Sequence, residues 1–87
     1  METSLVLFAL TKQGSMELFD LARGRRAAIW VNHGILDASA LALLRDEGFD
    51  LTDFTSWIDP SDDVAIQSAL ETIREHHPGH VLYVERR

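Results

Sequence analysis

Apolar residues crowd the beginning of the chain. Ser4-Leu5-Val6-Leu7-Phe8-Ala9-Leu10 is nearly continuous over one strand length, which predicts a strand buried on both faces and near the centre of a sheet. Ala27-Ala28-Ile29-Trp30-Val31-Asn32 predicts a second such strand. Between them, Thr11 to Arg26 is ambiguous. Met16, Phe19 and Ala22 fit helical spacing, whereas Met16 and Leu18, or Phe19 and Leu21, fit a strand. Glycines at 14 and 24, set between apolar runs, resemble hairpin loops, so a hairpin strand is preferred over a short helix for residues 13–23.

The next segments are clearer. Asp37 is placed to cap a helix from about Ala38 to Glu47, with Leu36 and Leu41 spaced as a hydrophobic staple. Gly48 falls where a left-handed residue ends such a helix and lets Phe49 fold back toward Leu44. Residues 49–56 alternate with mixed polarity, as a strand nearer an edge does. Asp59-Pro60-Ser61-Asp62-Asp63 combines a capping side chain, a proline for the first helical position and carboxylates for the positive end of the dipole. Ile66, Ala69, Leu70, Ile73 and His77 then recur at helical spacing up to Pro78, and His80 to Glu85 supplies a last strand.

Strand-helix-strand-helix-strand over residues 27 to 85 implies parallel pairing. The expected architecture is a single small α/β domain, with α+β as the variant: a compact two-layer sandwich in which two main helices pack on a mixed sheet of four or five strands. A hairpin at residues 13–23 would leave one sheet face open, and a second copy would then have to cover it. A helix there would instead give a small doubly wound fold with layers on both sides.

Eighty-seven residues with 46% apolar and 25% charged side chains describe an ordinary globular chain, and the formal charge of −6 disfavours nucleic acid and anionic membrane as partners. Without cysteine there are no disulfides, thiolate nucleophiles or cysteine zinc sites. No apolar run reaches membrane-span length, and Met-Glu-Thr-Ser lacks the basic start of a signal peptide, so a cytoplasmic protein is expected.

Four groups could carry chemistry. His76, His77 and His80, beside Glu75, are the densest set of possible zinc or nickel ligands. Adjacent helical histidines diverge by about 100°, so the preferred reading is helix-end histidines favoured by the dipole. Asp59, Asp62 and Asp63 lack the spacing of a calcium loop and read as caps, and Asp37 and Asp53 stand near strand ends. No metal or other cofactor is expected. Asn32-His33-Gly34 follows a strand and precedes a helix, where open α/β sheets bind ligands, and His33 could act there as a general base. No G-x-S-x-G, Walker A or G-x-G-x-x-G pattern accompanies it. Arg23, Arg25 and Arg26 concentrate positive charge at one turn, suited to an anion or to an acidic partner surface. Trp30 and Trp57 read as core or interface anchors. The leading expectation is a non-enzymatic protein–protein interaction module acting as a homodimer. The alternatives are a small-molecule-binding or hydrolytic protein using the Asn32-His33-Gly34 loop, and an acidic mimic that occupies a basic partner.

Overall fold

The computed structural model describes residues 5–85; Ser4, where the first apolar run begins, lies outside them. Four strands form one sheet: β1 (Leu5–Ala9), β2 (Ala27–Val31), β3 (Asp50–Asp53) and β4 (Val81–Glu85), in the order β3-β2-β1-β4. Three helices connect them: α1 (Lys12–Ala22), α2 (Ala38–Asp46) and α3 (Asp63–His76). The α/β class therefore stands, with β1 central and β3 at an edge, as their sequences imply.

The preference for a hairpin at residues 13–23 is corrected, because this segment is α1. Thr11 caps it, its Oγ1 accepting the Gly14 N–H at 3.0 Å. The buried stripe of α1 is Gly14, Ser15, Leu18, Phe19 and Ala22, while Met16 is 63% exposed. Two of the five inward positions are thus not hydrophobic, and a count of apolar spacing misses the stripe. A helical crossover returns the chain to the same end of the sheet, so β2 runs parallel to β1. All three strand pairs are parallel, so the sheet is not mixed.

Side chains alternating along β1 divide the core. Val6, Phe8 and Leu10 pack with Trp30, Ile58 and the α3 residues Ile66, Ala69, Leu70 and Ile73. Leu7 and Ala9 pack with Ile29, Val31 and Leu51 of the sheet, Leu18 and Phe19 of α1, and Leu41 of α2. Helices therefore cover both faces, the outcome anticipated for a helical residue 13–23 segment, and no face is left open to demand a second copy.

The helix ends are built locally. Asp37 Oδ1 accepts the Ala40 N–H at 2.8 Å and begins α2. Gly48, at φ 101°, ends it: the Gly48 N–H donates to Arg45 O and the Phe49 N–H to Leu44 O. The start of α3 lies three residues later than the sequence suggests. Asp59 accepts from the Ser61 N–H and hydroxyl, which hold its carboxyl below the usual carboxylate range, and Asp62 caps the helix through Val64 and Ala65 N–H. The side chain of Asp59 thereby closes a turn in competition with a helical start. Among the described residues, no helix is long and apolar enough to cross a membrane.

Candidate functional site

With α1 and α2 on one face and α3 on the other, the crossovers change face between β1 and β4. In an open parallel sheet, the crevice outside the carboxyl ends of two such strands is the usual place for a ligand. Here the chain fills that crevice itself. Glu85 ends β4 and is 7% exposed; its carboxylate accepts from the Thr11 hydroxyl, at 3.1 Å to Oε1, and from the Thr11 N–H at 3.4 Å. A relay thus runs from the Gly14 N–H to Thr11 Oγ1, and from the Thr11 hydroxyl to Glu85. The negative carboxylate stands at the N-terminus of α1, where the helix dipole and exposed N–H groups favour an anion. A side chain at Gly14 would overlap this carboxyl, so glycine is required for the close approach.

Asn32, next along the same edge, is fully buried. Its Nδ2 donates to Leu10 O at 3.1 Å and Ile58 O at 2.7 Å, and its Oδ1 accepts the Ile58 N–H at 2.9 Å. The amide ties β1, β2 and the segment before α3 together, with both of its Nδ2 hydrogens committed to backbone carbonyls. Gly34 turns the chain at φ 80°, beyond the exposed His33. His33 Nδ1 donates to Phe54 O at 2.8 Å and lies 4.0 Å from Asp53 Oδ2; Asp53 Oδ1 is buried without a hydrogen-bond partner. The His33–Asp53 pair is thus the part of this edge that the fold leaves least satisfied.

The amino edge of the sheet carries a cavity of about 380 Å³, lined in part by Arg25, Arg26, Asp50, His77 and His80. Two groups far apart in the sequence meet there, the arginine turn after α1 and the histidines after α3. Arg23 does not join them. Its guanidinium bonds Glu47 at 3.0 Å, also reaches Asp20, and stacks 5.5 Å from the Phe49 ring centroid; the hydrogen bond to Glu47 leads the effects that raise its pKa. The three arginines of one turn are therefore divided between an intramolecular tie and a cavity wall.

The histidines are held by different partners. Trp30 Nε1–H donates to His77 Nε2 at 3.1 Å, and since indole nitrogen can only donate, His77 carries its hydrogen on Nδ1. His76 Nδ1 donates to Thr72 O and His80 Nδ1 to Pro78 O. One ring nitrogen of each imidazole is thus already engaged. Among the described residues, no three His, Asp or Glu side chains are grouped to hold a metal ion. His33 lies at the carboxyl edge and His77 and His80 at the amino edge, so the two histidine groups do not meet. Trp30 is buried and Trp57 is 57% exposed.

No family model, curated protein or solved structure matches the chain. Sequence reasoning missed Thr11, Gly14 and Glu85, because their meeting depends on β4 lying beside β1. The only local signal was Thr11 three residues before Gly14, the spacing of a helix cap.

Proposed function

We propose that this chain is a non-enzymatic protein–protein interaction module that pairs with a second copy of itself through β4. The observation that carries this reading is the contrast between the two sheet edges. Strand β3 has four residues and bears Asp50 and Asp53, the short and charged character that discourages edge pairing. Strand β4 is Val-Leu-Tyr-Val-Glu, with no lysine, proline or bulge; Val81 and Tyr83 are 53% and 54% exposed.

The ladder supplies a register for the pairing. Leu10 N–H donates to Glu85 O, so the odd residues of β4 turn their peptide groups toward β1, and Leu82 and Val84 turn theirs outward. An antiparallel pair centred on Tyr83 sets Leu82 against Val84 of the other copy and Tyr83 against its own equivalent, satisfying the outward groups by a two-fold operation. Placing β4 against β3 of another copy would instead be heterologous, giving a ring or an open fibre rather than a two-fold dimer. Occupation of the switch-point crevice by Glu85 and Asn32 supports the non-enzymatic part of the reading.

Light scattering after size exclusion tests it. The wild-type chain should run at twice its chain mass, and Tyr83→Lys, an exposed change that puts charge on the edge, should run as a folded monomer. A wild-type monomer across the whole concentration range would end this reading. Salt-sensitive capture of a basic protein by that monomer would favour acidic mimicry instead.

A further inference from the structure

We infer that the amino-edge cavity is a binding site for a phosphate dianion, free or carried as the monoester of a small molecule. The proposal is independent of pairing through β4. In a chain of net charge −6 with eight basic residues, Arg25 and Arg26 meet His77 and His80 on one concave surface, where Asp50 is the one carboxylate among the described lining residues. Elsewhere the acids dominate: residues 27–75 carry ten acidic side chains against Arg45 and Arg74. Both cavity arginines are exposed residues of this lining, and the planar fork of a guanidinium suits two phosphate oxygens.

Trp30 acts here as a positioning residue. By donating to His77 Nε2 it leaves the hydrogen on Nδ1, which gives the lining imidazole a donor in its neutral form. His77 and His80 stand with ring centroids 5.6 Å apart in an edge-on arrangement, which keeps both rings at the same wall. The 380 Å³ volume is about a dozen times the ~30 Å³ share of one water, more than a bare phosphate needs, and falls among ordinary small-molecule pockets. The space beyond the phosphate would take the group to which it is esterified.

The test is an NMR titration of the full chain, following histidine ring and arginine side-chain signals. Sodium phosphate and glycerol phosphate are added in separate series, with chloride holding ionic strength constant. Saturating shifts at His77, His80, Arg25 and Arg26 are expected, and affinity should fall at least about tenfold in the R25Q/R26Q double variant as charge-assisted contacts are lost. The substitutions are at exposed positions, and circular dichroism verifies that the fold is retained. Lys12→Gln, at the opposite edge, should leave the affinity unchanged. Tighter binding of glycerol phosphate assigns the site to a monoester, and equal binding assigns it to phosphate itself. Absence of a saturable shift, or an equal loss in K12Q and R25Q/R26Q, overturns the proposal.

Discussion

At Gly14 a single missing methyl decides how β4 and α1 can meet. Replacing a glycine inside a helix by alanine ordinarily stabilises by about 1 kcal/mol. Here the added carbon overlaps the Glu85 carboxyl, which must leave Thr11 to make room. Losing a hydrogen-bonded, partly buried carboxylate contact costs about 1.5–3 kcal/mol, so the helix gain is outweighed. Gly14→Ala should therefore lower stability by roughly 1 kcal/mol in urea unfolding, and Gly14→Ala with Glu85→Ala should be less sensitive to the alanine than the parent is. A stabilised single variant would show that Glu85 does not hold this position. Asn32 makes the same point with hydrogen bonds. Its three contacts join segments distant in sequence, so the sequence could place Asn32 at a strand end beside a candidate ligand loop but not as the tie between those segments.

Among the elements, α2 was the most legible and α1 the least. Asp37, Leu36, Leu41, Gly48 and Phe49 all lie between residues 36 and 49, so the local chain states both ends of α2 before any packing is known. The left-handed turn at Gly48 makes a sharp test. A β-branched side chain at φ 101° is strained, and Gly48→Val should cost at least about 1 kcal/mol, seen as a lower unfolding midpoint with an unchanged denaturant slope. In α1, by contrast, the inward positions include Gly14 and Ser15. Gly14 is small because the Glu85 carboxyl of β4 approaches it closely, and Ser15 is fully buried beside it, so the hydrophobic stripe that marks a helix is interrupted where α1 meets β4. The start of α3 shows a milder case, in which two aspartates three residues apart each offered a cap and the turn at Asp59 left the helix to Asp62.

At the scale of the whole molecule, the sheet has two unlike edges and two unlike ends. The apolar β4 edge supports the proposed two-fold pairing, and the carboxyl end is closed by Glu85 and Asn32 while the amino end holds the cavity. If pairing is coupled to folding, the midpoint of thermal unfolding should rise with protein concentration in the wild type and be independent of it in Tyr83→Lys. A midpoint that stays constant in both would count against association of the native chain. The charge asymmetry between the arginine turn and the acidic remainder was readable from the sequence, but its partition was not. Arg23 turns inward to Glu47, while Arg25 and Arg26 face the cavity.

The amino-acid sequence alone determined the α/β class, the central place of β1, the edge character of β3 and the caps of α2, because each depends on hydrophobic period or on side chains within one turn of the peptide they satisfy. Tertiary structure decided the rest. Whether residues 12–22 coil or extend, which strand lies beside β1, and which histidines meet which arginines depend on chain segments separated by up to 74 residues. Such pairings are chosen by the packing of both sheet faces together, and no local pattern carries that information.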